Sequence, residues 1–268
     1  MPFTISHIAA VLPVHRVLSR ARLFSAAVIG SMVPDFGLLL PGFMPRWETH
    51  SIEALFTFSL PVGLVAFVLT VLLVAPALTE VVPDRAYARL RIAEADRPPR
   101  ALWLTLVYAA PVIVLGAVTH LVWDGFTHEN ARGVRMFPIL DELGPELDGH
   151  TLQLFRWLQY ASSIVGLVAV VAALLIWMHH APAAATVRTP RRLGDLERRI
   201  WSSGYVVIAL SGIAAGVWHA HAHMSTLAAG MRIGAVAIGA LRASAMSLLL
   251  VSFLLLLRLR IFGQAAQK

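Results

Sequence analysis

Apolar residues run through this chain in long blocks broken at few points, with neither the two-residue alternation of half-buried strands nor the narrow stripe of a soluble amphipathic helix. The blocks start near residues 23, 54, 101, 158, 203 and 233, and each is close to the roughly 20 residues that carry a helix across a bilayer. One buried helix in a soluble domain explains one such block, not six. The pattern predicts an all-α, polytopic membrane protein of about six transmembrane helices in one domain, 1–268, ahead of which lies a shorter helix. That first stretch, from Met1 to about Leu18, is too short to span, and Thr4 or Ser6 is placed to cap it.

Composition sharpens the class. Hydrophobic residues make up 58% and charged residues 14% of the 268 positions, where a soluble domain carries about 25% charged residues. The net charge of +7 does not point to nucleic acid, because the arginines fall in loops and near the chain ends beside apolar blocks. Arg16 to Arg22, loop 80–100, loop 179–200 and the segment from Arg258 to Lys268 alternate with loops that are poorer in arginine. By the positive-inside rule the basic segments, including those at both ends, are cytoplasmic. Loops 41–53, 124–157 and 221–232 then face the other side. Pro41, Gly42 and the Pro98-Pro99 pair mark turns between blocks. The N-terminal order of residues does not read as a removable signal peptide.

The absence of cysteine excludes disulfides, thiolate ligands and a cysteine nucleophile. No Gly-x-Ser-x-Gly elbow, phosphate loop or dinucleotide fingerprint occurs, which argues against serine hydrolases and nucleotide enzymes. Candidate chemistry lies in ionisable residues at the non-cytoplasmic ends of the blocks. His120, Asp124 and His128 are spaced four apart and share one face of a helix. His7, Asp35 and His50 fall at the same membrane level in the predicted topology. Ionisable groups in or beside membrane spans are costly and mark function by default. Neutral imidazoles and carboxylates suit zinc, manganese or iron, with zinc the leading candidate, and such an ion activates water or polarises a phosphoryl oxygen. The six residues are therefore candidate ligands, with Asp124 and Asp35 also candidate catalytic groups. The same cluster would equally serve a transporter relaying protons or ions, or a scaffold in which polar groups only join helices.

Several stretches resemble the domain-of-unknown-function family 4184: Met1-Pro2-Phe3-Thr4-Ile5-Ser6-His7-Ile8-Ala9-Ala10-Val11-Leu12-Pro13, Gly30-Ser31-Met32-Val33-Pro34-Asp35-Phe36, His50-Ser51, the segment His120 to His128, and Leu158-Gln159-Tyr160-Ala161-Ser162-Ser163. The resemblance implies a bacterial integral membrane protein in the inner membrane. More distantly, the order His, Pro-Asp, His, His-x-x-x-Asp is similar to that of inner-membrane-associated metal-dependent hydrolases and of the all-helical zinc-dependent phospholipase C fold. That likeness implies ligand roles for His7, Asp35, His50, His120 and Asp124, and a lipid or phosphoester substrate. The downstream His-x-x-x-Glu ligand pair of those phospholipases has no match here.

Overall fold

The computed structural model describes residues 3–20, 23–39, 46–95, 101–147, 149–180, 192–223 and 229–263. Arg22, the turns at Pro41-Gly42 and Pro98-Pro99, and Lys268 lie outside them. Five helices are long and apolar enough to cross a membrane. Four of their helical stretches are Leu55–Val81 (α2), Leu102–Thr127 (α3), Leu154–His179 (α4) and Asp195–His223 (α5). The fifth is Ala229–Gly263 (α6), within which Ile238–Ile261 is the apolar span. The block expected to span from Leu23 is the shorter apolar helix Phe24–Leu39 (α1). Multi-pass, predominantly helical membrane architecture is thus the fold.

Prolines shape the helices that build the site. Pro34 has no N–H to return to the preceding turn, and the chain passes there from α-helix, Phe24–Met32, into 3₁₀ helix, Val33–Leu39. Asp35 sits in the first turn of that tightened segment. In α2, two widened π-turns, Leu55–Ser59 and Thr70–Val74, lie just ahead of Pro61 and Pro76. Proline clashes with the carbonyl four residues back, and a wider turn relieves the clash. The N-terminal stretch is a 3₁₀ helix, Thr4–Val14, of about 22 Å, followed by an α-helical turn and a half, His15–Arg20. Neither Thr4 nor Ser6 caps it: Phe3 occupies the cap position, and both hydroxyls bond elsewhere.

The described chain packs as two compact units. The first comprises Met1–Phe67, Ala101–Ala173 and His221–Gly234. Within it α1 and α3 meet backbone to backbone. A Cβ on Gly30 would strike the carbonyl of Ile113, and one on Gly116 would lie 2.8 Å from both the Ala27 carbonyl oxygen and the Ser31 nitrogen. Ala27, Ala109 and Ala117 bury small side chains that extend this stripe. Small residues are how membrane helices approach closely without help from the hydrophobic effect. The N-terminal 3₁₀ helix is held on α4 by the same device: a Cβ on Gly166 would lie 2.8 Å from Ser6 Cβ. Ser6 Oγ donates to the Ser163 carbonyl at 2.8 Å, and the Phe3 amide donates to Ser163 Oγ at 3.2 Å. Between α3 and α4 a two-stranded antiparallel hairpin, Leu143–Leu147 (β1) and His150–Gln153 (β2), forms in the segment read from sequence as a loop.

The second unit comprises Val68–Arg100, Leu174–Ala220 and Ala235–Lys268. Its apolar core is Ala77, Val81, Leu193, Leu255 and Leu259. Arg198 bridges Asp84 and Asp195, Arg192 pairs with Glu80, and Arg258 pairs with Glu197. These pairs tie the end of α2, the following helix Asp84–Ala95, the start of α5 and the end of α6 into one polar layer.

Candidate metal centre

Each site residue reaches the first unit's interior through an identifiable constraint. The α1–α3 contact brings the Ser31 carbonyl to His120, whose Nδ1 donates to it at 2.8 Å. A carbonyl only accepts, so Nδ1 carries the proton and Nε2 of the neutral ring offers its lone pair inward. One turn on, Asp124 projects from the same face of α3. Asp35 reaches in from the 3₁₀ turn after Pro34, its Oδ2 accepting from Thr4 Oγ1 at 2.7 Å. His7 comes from the N-terminal helix and stacks on His120, with ring centroids 3.7 Å apart. His50 follows the short helix Arg46–Thr49, and its Nδ1 is hydrogen-bonded to Thr49 Oγ1 at 2.8 Å.

The inward-facing atoms form a tight constellation. His50 Nε2 lies 3.3 Å from Asp35 Oδ1 and 3.5 Å from Asp124 Oδ2. His120 Nε2 lies 3.7 Å from Asp35 Oδ1 and 3.5 Å from Asp124 Oδ2, and His7 Nε2 is 3.6 Å from Asp124 Oδ1. Two atoms bound to one zinc ion at about 2.1 Å and a tetrahedral angle stand about 3.4 Å apart. The observed separations are therefore those of ligands around an ion and too long for good hydrogen bonds between the same atoms. Two sets, His7-Asp35-His120 and His50-His120-Asp124, can each hold a metal ion, every donor atom in a set lying within 4.8 Å of the others.

Burial makes the arrangement expensive without a cation. His120 is wholly buried and Asp35 is 1% exposed. His7 Nε2, Asp35 Oδ1 and His120 Nε2 are buried with no hydrogen-bond partner. A buried polar atom left without a partner costs about 1–3 kcal/mol, and three converging on one point require an explanation. Burial, reinforced by the neighbouring His120, pulls His7 down from an ordinary 6.5 to about 4, so this ring is neutral and ready to ligate.

Of the six residues singled out from sequence, five belong to these two overlapping sets, and His128 stands outside both. His128 Nδ1 is 3.1 Å from the Asp124 carbonyl, so it carries the proton; it also lies 3.6 Å from Asp124 Oδ2. Its lone-pair nitrogen, Nε2, instead lies 3.5 Å from the amide nitrogen of Gln159. The partly exposed side chains of His50 and His128 mark the open side of the site. Sequence reasoning did not find the groups that orient the ligands, namely the Thr4 hydroxyl, the Ser31 carbonyl and the Thr49 hydroxyl. A threonine three residues before His7 is a weak signal, and a backbone carbonyl leaves none.

A multi-pass helical membrane protein with buried histidines and aspartates able to hold a metal ion is the class that fold and site define. The family profile described as domain of unknown function, DUF4184, matches residues 1–253, and the chain belongs to that family. No curated protein and no solved structure matches it.

Proposed function

We propose that this protein is a metal-dependent hydrolase of phosphoester or lipid-like substrates, with zinc as its metal. The observation that carries the reading is the convergence of His7 Nε2, Asp35 Oδ1 and His120 Nε2, buried and lacking hydrogen-bond partners, at ligand-like separations. When bound, the ion supplies an activated water and a positive charge for a phosphoryl oxygen. His7, Asp35, His50, His120 and Asp124 would hold it. Asp35, sealed beneath Thr4, serves as a charge-balancing ligand. Asp124 is nearer the open side, where a carboxylate can take a proton from an attacking water. His128 stands on that side, its Nδ1 3.6 Å from the Asp124 carboxylate, with Gln159 against its other ring nitrogen.

The positive-inside pattern supports a bacterial cytoplasmic membrane with both basic ends inside, the shorter α1 then making a sixth crossing, so that the site opens on the outer face. The polar layer joining the α2 end, the helix Asp84–Ala95, the α5 start and the α6 end agrees with these segments sharing one side. The test is release of soluble phosphoester from phosphatidylcholine vesicles and from a chromogenic phosphodiester by purified protein loaded with zinc. Turnover that is lost in His120→Ala and Asp124→Ala supports the reading. A zinc-loaded protein inert toward both substrates removes hydrolysis of these classes while leaving the metal site standing.

A further inference from the structure

Between α3 and α4 the chain exposes five large apolar side chains within twelve residues: Met136, Phe137, Ile139, Leu143 and Leu147. Water-facing loops do not present such a run without an occupant. We infer that segment 136–147 is an interfacial element that inserts these side chains into the leaflet on the site's side of the membrane.

The depth of the segment follows from the helices that flank it. About 20 residues of α3, counted from Leu102, cross a 30 Å hydrocarbon core and end near Leu121. Trp123 is then at headgroup level, where tryptophan concentrates. On α4 the edge-to-face pair Trp157 and Tyr160 occupies the first two turns, and gives a second aromatic mark at that end. The hairpin is fastened to these marks. Trp157 Nε1 donates to the Pro145 carbonyl at 3.1 Å, and a Cβ on Gly144 would lie 3.1 Å from Trp157 Cδ1. On the α3 side Phe137 lies against Phe126, ring centroids 6.1 Å apart. Both fastenings hold the segment at the interface rather than out in water, and its apolar surface continues that of the spans, where Val122 and Ile164 are exposed. Asp141, Glu142 and Glu146 are exposed between the apolar positions and suit contact with headgroups and water rather than with anionic lipid.

The inference stands independently of the hydrolase reading. A chain without cysteine gives a clean test. Single variants Ile139→Cys, Leu143→Cys and Asp141→Cys, with Val165→Cys as a lipid-facing reference, are spin-labelled in phosphatidylcholine proteoliposomes. Collision rates with oxygen, which enters the bilayer, are compared with those of a water-soluble nickel chelate. Labels at 139 and 143 are expected to favour oxygen severalfold over the label at 141 and to approach the label at 165. Preference for the chelate at 139 and 143 overturns the inference by placing the segment in water. Low collision with both probes also overturns it, because a protein surface then covers the segment. Met136→Cys, on the other side of Pro138, repeats the reading should a hairpin variant fail to fold.

Discussion

His7 and His120 lie face to face, ring centroids 3.7 Å apart and 16° from parallel, although 113 positions separate them in the chain. Two imidazolium rings cannot stack that closely in a buried place, so at most one of the pair carries a charge. Each directs Nε2, without a hydrogen-bond partner, toward the two aspartates. The stack therefore presents two ring nitrogens to one place, brought together by helix packing.

His120 belongs to both ligand sets and has one lone pair to give, because its other nitrogen is spent on the Ser31 carbonyl. The expected content after zinc loading and desalting is one ion per chain. His120→Ala and Asp35→Asn should each lower it at least tenfold at equal free zinc, by the order of magnitude that such ligand shells show. Elemental analysis against protein concentration checks this.

Thr4→Val removes the hydroxyl that holds Asp35 without altering the side chain's shape. Outer-sphere changes of this kind cost about 10–100-fold in metal affinity. Competition with a zinc chelator should show that loss in Thr4→Val and its recovery in Thr4→Ser. Equal affinities in all three proteins would mean that Asp35 does not ligate.

His128→Ala should leave zinc content at the parent level, since the lone pair of His128 faces Gln159 rather than the centre. Any turnover should fall, because the variant loses the imidazole that stands 3.6 Å from the Asp124 carboxylate. Loss of the metal itself would place His128 among the ligands.

Gly116→Ala tests how the site is assembled. The added methyl meets backbone atoms of Ala27 and Ser31, which cannot step aside as a flexible side chain can. Overpacking of this sort costs about 1–3 kcal/mol. The variant should unfold at a lower temperature in detergent. It should also bind zinc more weakly, because separating α1 from α3 moves Ser31 away from His120.

These examples locate what the sequence discloses and what it hides. The spans were legible because about 20 apolar residues in a row have few other uses. The His120–Asp124 relation followed from the helical repeat alone. The sequence also marked His7, Asp35 and His50 as expensive residues at one membrane level, but not their convergence. That depends on Gly30, Gly116 and Gly166 letting backbones touch, and glycines in membrane helices are too common to announce which pairs will meet. His128 looked equivalent to His120 and Asp124 because spacing fixes a face, whereas ring orientation is set by the helix end and by Gln159. The hairpin was hidden because Pro138, Gly144 and Pro145 interrupt any strand pattern there and β1 is only five residues long.

X-ray absorption at the zinc edge of the loaded, desalted protein reads the ligand shell itself. Histidine and aspartate donors drawn from the two sets, with a position left for water, predict nitrogen and oxygen scatterers at about 2.0–2.2 Å with the outer-shell signature of imidazole, and that signature should weaken in His7→Ala. A protein that retains no zinc, or a shell without imidazole, would mean that these histidines and aspartates do not form a metal centre.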